Sequence, residues 1–515
     1  MGIFTASRPG RAQEERTVAG GRSRAAAALF AALLAGCTLG PDYKRPDLDL
    51  PSAWRAEPHD AADIANTEWW KAFGDPLLDA LIEDALQANK DLRLATHRIA
   101  EFNARLQVSR SAAYPQVSYN ALAERQRFSE ERPTGGGGLQ SGVGPIVNNF
   151  AIGAVFGWEI DLWGKVKRAN EAALAELLAS EASRKGVMLT VVSDVATAYV
   201  QLLDLDQELA FAHQSVKNRR EALDITVIRQ LGGSATLLSV EQARVSLEAE
   251  QEQIPPLERD IAIVEAALSQ LLGRNPGPVV RRKMDELTLP QLPAGIPADV
   301  LARRPDVMAA EQNLIAANAR IGVAKTGYFP TLSLAAAIGL ATDNVRWLFA
   351  ETARTGLLGA GLAGPIYNAG RTEGDIRQAE AIQQQMQVRF EQSVQTALRE
   401  VDDALVTRSK AGQRELVLDR QTVSQREISR LTRMRFDGGQ STLLDVLDAD
   451  LKLQSAEKLQ AQSRRDTFLA LVSIYRAMGG GWMVEYERRH APPDPAVAAA
   501  ATAQAPAASQ QEAMK

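Results

Sequence analysis

Two segments 206 residues apart carry the same landmarks: Gly232, Gly233, Thr236, Leu237, Leu238, Val240 and Ala243 return as Gly438, Gly439, Thr442, Leu443, Leu444, Val446 and Ala449. At the same spacing Gly164-Lys165 returns as Gly370-Arg371, and Asp194-Val195 as Glu400-Val401. Upstream, Asn103-Ala104-Arg105 and Pro115 return as Asn318-Ala319-Arg320 and Pro330, now 215 residues on. Self-similarity at a fixed period marks a repeated supersecondary unit. A spacing that changes once, between Pro115 and Gly164, and then holds describes two complete copies that differ in one loop. Whatever this chain folds into must be buildable twice from one plan.

The ends of the chain carry a different signal. Arg22 and Arg24 precede an apolar run, Ala25 to Leu34, that is too short to cross a bilayer. It closes on Leu34-Ala35-Gly36-Cys37, small residues ahead of the only cysteine. The pattern resembles a bacterial lipobox, so residues 1–36 are expected to be a signal peptide and Cys37 to receive N-acyl and S-diacylglycerol lipid. Met1 to Gly21 is long and polar for such a signal, which leaves room for a downstream start. Thr38, where an Asp favours inner-membrane retention, points outward. A single cysteine leaves no intrachain disulfide framework and no cysteine metal cluster, and His59, His97, His213 and His490 lack ligand spacing. A net charge of −5 over 515 residues argues against a nucleic-acid partner. No His/Asp/Ser set, phosphate loop or metal spacing stands out, so neither an enzyme nor a cofactor other than the lipid is expected.

Between the ends, the periodicity changes in a fixed order. Residues 37–75 read as a lipidated extended arm rich in Pro, Asp and Trp. Residues 76–113 read as helix, with Leu77, Leu78, Leu81, Ile82 and Leu86 on one stripe, ended by Pro115. The period then becomes two: Val117, Tyr119, Ala121 and Ala123, and after the Gly135–Gly138 loop Phe150, Ile152, Ala154, Phe156, Trp158 and Ile160. The second copy repeats this with Leu332, Leu334, Ala336, Ile338 and Leu340, then Leu358, Ala360, Leu362 and Ile366. Strands of about ten residues, apolar on one side, match membrane β-strands, although a soluble sandwich shares the alternation. Trp158, Trp163 and Tyr367 at strand ends suit an interfacial girdle or core packing.

Lys165 to about Leu231, and Arg371 to about Phe436, contain no proline and read as helices on the order of 100 Å long. Alanines 169, 172, 173, 175, 179 and 182 permit close helix–helix approach. Each helix turns at a Gly-Gly pair, where glycine satisfies a left-handed cap, and a shorter helix returns over 236–272 or 442–478. That return spans roughly 55 Å and the helix before the strands (89–113 or 305–327) roughly 40 Å, so the two stacked end to end match one long helix. Pro255-Pro256 should bend the first return. The repeats are therefore 76–272, with strands at 116–160, and 298–478, with strands at 330–368; 273–297 links them. Residues 479–515 form a C-terminal segment expected to be disordered from about 491.

Each copy supplies two strands and a long α-hairpin. An open four-stranded sheet cannot sit in lipid, because its edge groups would stay unpaired; two chains would close eight strands and three would close twelve. The fold class is thus a mixed membrane β-barrel with a long α-helical barrel. Together with a lipid anchor, that describes a conduit.

At this point the chain resembles the TolC/OprM-type outer-membrane efflux proteins, in their lipoprotein (NodT-like) branch, along nearly all of its mature length. The matching stretches are Cys37-x3-Pro41-x-Tyr43-x2-Pro46, Trp69-Trp70-x2-Phe73-x-Asp75-Pro76, Glu159-Ile160-Asp161-Leu162-Trp163-Gly164-Lys165, Arg303-Arg304-Pro305-Asp306, Gly364-Pro365-x-Tyr367-x2-Gly370-Arg371, Leu443-Leu444-Asp445-Val446-Leu447-Asp448-Ala449 and Tyr475-Arg476-Ala477-Met478-Gly479-Gly480-Gly481-Trp482. The resemblance implies a homotrimer in the outer membrane of a Gram-negative cell, with a twelve-stranded barrel and a helical tube in the periplasm. It also implies docking to a periplasmic adaptor (membrane fusion protein) bound to an inner-membrane RND-type pump. The implied function is passive conduction of substrates to the exterior; the alternative is the duct of a type I protein-secretion system. Carried over by motif, Leu444, Asp445 and Asp448 should line a periplasmic gate, with each aspartate forming a ring of three carboxylates on the trimer axis. Thr442 to Asp445 also fits a capping box, so Asp445 reads as cap or gate. Ser239 and Gln242 stand at the equivalent positions of the first copy, leaving only one charged hairpin per subunit. The tips Gly232, Gly233 and Ser234, and Gly438, Gly439, Gln440 and Ser441, are the expected adaptor contacts, while Arg303 and Arg304 are expected to anchor the equatorial region.

Overall fold

The computed structural model describes residues 38–48, 51, 68–127, 146–289 and 303–490. The signal peptide, Cys37, most of the arm, the Gly135–Gly138 loop, residues 290–302 (the end of the linker and the start of the second repeat) and the tail beyond His490 lie outside the described residues. The chain forms two compact units, and neither is one of the sequence copies. One unit comprises Met1–Asp47, Ile99–Ala179 and Ala310–Phe390; the other comprises Leu48–Arg98, Ser180–Ala309 and Glu391–Lys515. Each copy contributes to both.

The first unit carries the sheet. Strands β1 (Gln116–Arg127), β2 (Ile146–Ile160), β3 (Thr331–Thr342) and β4 (Arg354–Ala363) pair antiparallel in the order β1-β2-β3-β4. β1 and β3 correspond residue for residue at the 215 spacing, whereas β2 has fifteen residues against ten in β4, so the extra length lies in the first copy. Residues directly opposite one another in such a ladder share a face, and the register therefore decides what each side shows. The rung Val117–Phe156–Ala336–Leu358 is apolar; on the same face follow Tyr119–Ala154–Ile338–Gly356 and Ala121–Ile152–Leu340–Arg354, the last ending on a charge. The alternate rungs are Gln116–Gly157–Ala335–Gly359, Ser118–Val155–Ala337–Leu357 and Asn120–Gly153–Gly339–Thr355. One face is aromatic and branched; the other is largely small or polar. At the Gly153–Gly339 rung the strands approach so closely that a Cβ on Gly153 would stand 2.6 Å from the Ile338 carbonyl oxygen.

The second unit is helical and holds the larger core. The long helices α3 (Lys165–Leu231) and α7 (Arg371–Asp437) are each 67 residues and start and end 206 residues apart. α3 contains a stretch apolar enough to cross a membrane, with a mean hydropathy of 1.5, but 67% of that stretch is buried inside the protein. Met188, Val192, Val195, Tyr199 and Leu203 are its core positions. The first return helix is broken into α4 (Leu237–Glu252) and α5 (Ile254–Leu271) just before Pro255-Pro256, which cannot donate the next helical bonds. The second, α8 (Leu443–Ala477), is continuous.

Two expectations are corrected here, and the C-terminal segment gains a helix. The arm is not extended up to Asp75: Trp69–Phe73 forms a 3-10 turn with Trp69, Trp70 and Phe73 buried. Trp69 stacks on Tyr475 at 4.8 Å with 7° between the ring planes, and Trp70 meets Trp482 edge-on at 4.7 Å. Large rings bury too much apolar surface to stay solvated when a core is in reach. The helix expected over 76–113 is two, α1 (Pro76–Ala88) and α2 (Lys90–Ser111), broken at Asn89. The C-terminal segment begins with a helix, α9 (Trp482–His490), whose Trp482, Met483 and Tyr486 enter the same core. Part of the linker packs as well, through Val279, Met284 and Leu287.

The end-to-end joints of short helices are built alike in both copies. At the first, Asn89 donates from Nδ2 to the Leu271 carbonyl at 2.8 Å. At the second, Arg304, just ahead of α6 (Pro305–Lys325), donates from Nη1 to the Ala477 carbonyl at 2.9 Å. Leu271 and Ala477 are 206 apart, and each is followed by a glycine with positive φ, Gly273 (+69°) and Gly479 (+83°). Both glycines press on the joint: a Cβ on Gly273 would stand 2.2 Å from the Ala88 oxygen, and one on Gly479 2.9 Å from the Arg304 Cα.

Candidate functional site

Both hairpin tips fold by one local rule. At the end of α3, Ser234 N–H donates to the Arg229 carbonyl (2.8 Å) and Gly233 N–H to Gln230 (3.0 Å); at the end of α7, Gln440 N–H donates to Arg435 (2.7 Å) and Gly439 N–H to Phe436 (3.0 Å). This is the Schellman pair of bonds, which needs a left-handed residue at its pivot. Gly233 (+74°) and Gly439 (+71°) supply it. Nothing lies within 4 Å of a Cβ built on either, so both pivots face open space. Gly232 and Gly438 cap their helices through Ile228 and Met434, Ser234 Oγ donates to the Arg229 carbonyl, and Ser441 Oγ reaches the Thr432 carbonyl.

The helix starts beyond the tips differ in charge. In the first copy Thr236 caps α4 by accepting from Ser239 N–H at 3.2 Å. In the second, Thr442 accepts from Asp445 N–H at 3.2 Å while the Asp445 carboxylate accepts from Thr442 N–H at 2.7 Å and from its hydroxyl at 2.8 Å. The capping box is complete. Hydrogen bonds from the Thr442 backbone and hydroxyl hold the Asp445 carboxyl below its ordinary 3.8. Leu444 is 69% exposed beside it. Asp448, one turn on, is paired with Lys452 at 2.7 Å, both side chains 60% exposed. The pair at i and i+4 is an ordinary surface pair in strength. Its consequence is that Asp448 does not present a bare charge.

Sequence reasoning missed the contacts that tie the hairpins together. The Arg229 guanidinium lies 4.3 Å from the centroid of the Phe436 ring, joining one tip to the other. Further along, buried Arg219 of α3 stands 4.0 Å from both Glu250 of α4 and Asp450 of α8. Gln454 donates to Glu250 at 2.7 Å, and Ser429 of α7 donates to Asp450 at 2.7 Å. Individually these residues look like solvated helix charges; only the superposition of four helices reveals the cluster. Arg304 is nearly buried and bonds Asp306 and Glu400, each at 2.7 Å, besides Ala477. Among the described residues no group of His, Cys, Asp and Glu could hold a metal ion.

A model of the family described as outer membrane efflux protein matches residues 81–274 and 296–480, one segment in each copy. The chain is 32% identical over 443 residues to the pyoverdine export outer membrane protein OpmQ of Pseudomonas putida, covering 85% of this chain and 93% of that protein. It is 33% identical over 467 residues to the toluene efflux pump outer membrane protein TtgC, also of Pseudomonas putida, covering 88% and 95%. Among solved structures, the open state of the MtrE outer membrane channel of Neisseria gonorrhoeae matches with a TM-score of 0.77 at 27% identity, over 87% of this chain and 99% of that one. With both copies matched and relatives aligned over nearly their whole length, the chain belongs to the outer membrane efflux protein family.

Proposed function

We propose that this protein is the outer-membrane exit duct of a tripartite efflux system, passively conducting substrates from an inner-membrane RND-type pump and its periplasmic adaptor to the exterior. The observation that carries the reading is the register of the sheet. Most bulky apolar residues of the strands turn to one face and mostly small or polar residues to the other, with Leu122, Val155 and Leu357 as exceptions, the pattern of a barrel wall between lipid and water. Among the described residues the outer edges of β1 and β4 have no partner strand, so closure falls to further copies. Eight strands would give a barrel just wide enough to be filled by side chains, whereas the glycines and alanines of the inner face suit a wider lumen. A homotrimer with twelve strands satisfies both. Cys37 carries the lipid anchor. The hairpin tips meet the adaptor, and Leu444 and Asp445 form the periplasmic constriction, with Asp448 contributing through its pair with Lys452. The relatives named for pyoverdine and toluene make small organic molecules the cargo class to test first.

The test is single-channel conductance of the purified oligomer in planar bilayers. Asp445→Asn can keep an acceptor for Thr442 N–H and remove the charge, so it separates gate from cap; Asp445→Ala/Asp448→Ala removes both. Small wild-type conductance that rises in Asp445→Asn supports a carboxylate gate. A rise only in the double alanine variant moves the effect to the helix start or to Asp448. A folded oligomer that never conducts would overturn the duct reading.

A further inference from the structure

The apolar face of the sheet changes character at one end. β1 and β3 follow helices and β2 and β4 lead back into helices, so the connections 128–145 and 343–353 belong to the opposite end of the sheet. Towards that end the aromatic and branched face carries Arg125 and Arg127 of β1, in line with Val117, Tyr119 and Ala121, and Arg354 at the start of β4, opposite Leu340. Among the described residues no Asp or Glu of the strands shares this face; Glu124 and Glu159 lie on the other. Arg354 pairs with Glu351 at 3.2 Å, but the two side chains are 73% and 85% exposed, and such a pair holds an arginine weakly. The connection 343–353 adds exposed Trp347 and Phe349, with exposed Arg346 beside them in a turn that Asn344 Oδ1 caps by accepting from Arg346 N–H at 3.1 Å. Eight residues separate Val117 from Arg125, and eight separate Leu362 from Arg354. That is about 27 Å along a strand, or roughly 20 Å along the membrane normal at the tilt of barrel strands. A barrel's apolar band is about 25 Å tall, and an arginine on the lipid face is costly at the midplane but nearly free at the interface. The three arginines therefore stand where the band ends.

We propose that this end of the lipid-facing sheet binds the headgroup of an outer-leaflet phosphoglycolipid, a bisphosphorylated lipid A, with Arg125, Arg127 and Arg354 taking the phosphates and Trp347 and Phe349 the boundary between sugar and acyl chains. The inference rests on the closed-barrel reading proposed above. In that barrel the free edge of β4 pairs with the free edge of β1 in the next copy, and because the two strands run opposite ways their loop ends meet. Each seam then gathers Arg354 of one copy and the two β1 arginines of the next on one face, at the edge of the lipid. Like charges brought together beside a low-dielectric phase repel strongly, and an anion placed between them turns that repulsion into attraction. Guanidinium groups take phosphate oxygens in bidentate fashion, and two phosphates on one headgroup can engage arginines of both copies at once. The aromatic rings, apolar in body and exposed, suit the adjoining interfacial layer. The lipid so held ties each protomer to the next.

The test is native mass spectrometry of the detergent-purified full-length oligomer, titrated with bisphosphorylated lipid A, monophosphorylated lipid A or inorganic pyrophosphate. Wild type is compared with Arg125→Gln/Arg127→Gln/Arg354→Gln and with Trp347→Ala/Phe349→Ala. Wild type should take up one bisphosphorylated lipid per chain and bind the monophosphorylated lipid more weakly. The triple glutamine variant should bind about ten-fold more weakly or worse, since its charge-assisted bonds to phosphate are gone. The aromatic variant should lose about three-fold, and pyrophosphate should not displace the lipid. Equal affinity in wild type and the triple glutamine variant overturns the site, and equal affinity for the two lipids overturns phosphate recognition. Unchanged affinity in the aromatic variant overturns the part given to Trp347 and Phe349. Displacement by pyrophosphate overturns the lipid as occupant in favour of free phosphate. If the triple variant does not assemble, Arg127→Gln alone, at the last residue of β1, enters the same titration; a loss of about three-fold is expected, and no loss overturns the site. Conductance in planar bilayers separates this site from the duct reading: the glutamine variant should conduct as wild type does, whereas a wild-type oligomer that never conducts fails the duct reading whatever lipid it binds.

Discussion

Gly233, Gly439, Gly273 and Gly479 share a left-handed backbone, with φ between +69° and +83°, but they sit in different surroundings, and alanine at each should separate two costs. The first is conformational, about 1–2 kcal/mol for an L-residue held in the left-handed region, and it applies at all four. The second is steric. At Gly233 and Gly439 a Cβ meets nothing within 4 Å, so only the first cost applies. At Gly273 the added carbon would lie 2.2 Å from the Ala88 carbonyl oxygen, and normal contact requires the α1–α5 joint to part by roughly 1 Å. Such overpacking costs about 1–3 kcal/mol, and opening the joint also stretches the Asn89–Leu271 hydrogen bond, worth about 1 kcal/mol. Gly273→Ala should therefore destabilise by roughly 3–6 kcal/mol and Gly233→Ala by about 1–2. Gly479→Ala, with its contact at 2.9 Å, should lie between them. The assay is urea unfolding of the detergent-solubilised oligomer followed by circular dichroism, comparing apparent midpoints within the series because large assemblies seldom refold reversibly. If Gly233→Ala loses as much as Gly273→Ala, the joint is not close-packed and the end-to-end splint is wrong.

Two further substitutions probe the wall and the core. Gly153→Val places a branched side chain where even a Cβ would be 2.6 Å from the Ile338 oxygen; β2 and β3 should fail to pair, and the heat-stable oligomer should disappear from membranes while the purified chain keeps most of its helix content. A heat-stable variant would refute the register. Burial raises the Asp204 carboxyl above its ordinary 3.8, with Arg465 at 2.6 Å pulling the other way. The folded state then holds that proton more tightly than the unfolded chain does, so stability is gained as pH falls through the raised value towards 3.8 and lost as pH rises through the same window. Asp204→Asn should flatten the slope of unfolding midpoint against pH there, and an unchanged slope would refute the assignment.

The periodic parts of this fold were legible because each is written in local rules. Gly-Gly pairs mark turns whatever surrounds them, and absence of proline over 165–231 and 371–437 leaves the helices uninterrupted. Alternation at Val117, Tyr119 and Ala121 sets strand faces that the register then aligns across β1 to β3. What stayed hidden depends on partners distant in sequence. Trp69 could not be told from an exposed arm residue without knowing that Tyr475 would stack on it. The same holds for Trp482, which sits just ahead of an Ala/Pro-rich tail, and for Arg219, whose partners Glu250 and Asp450 come from two other helices. Asp445 was half legible: its capping partner lies three residues away and could be read, whereas the axis it is proposed to face belongs to an assembly of several chains. Lys452, at i+4 of Asp448, was within reach of the same helical spacing.

The two copies agree where geometry is set and diverge where charge is used. Tips, caps and joints repeat atom for atom in kind, at 232 and 438, 236 and 442, 273 and 479. Among the differences between the copies are Ser239 against Asp445 and Gln242 against Asp448 at the tip, and Asn89 against Arg304 at the joint. All three place charge on the second copy. At its joint the charge is an anchor, since Arg304 holds the Ala477 carbonyl, Asp306 and Glu400 together with nearly no exposure, and a buried cation with three acceptors resists displacement. At its tip the charge is exposed, with Asp445 held in the capping box and Asp448 paired with Lys452. On the proposed threefold axis, like carboxylates repel one another, and the second hairpin can answer that repulsion only along its length, because its root is pinned. The first hairpin lacks carboxylates at 239 and 242, carries Glu241 and Arg244 as a pair at 3.0 Å, and is joined to the second at the tip by a cation–π contact, Arg229 on Phe436. If the proposed constriction forms there, carboxylates at 445 and 448 on the second copy alone combine a pinned root with mutually repelling tips, beside a first hairpin that has Ser239 and Gln242 in their place.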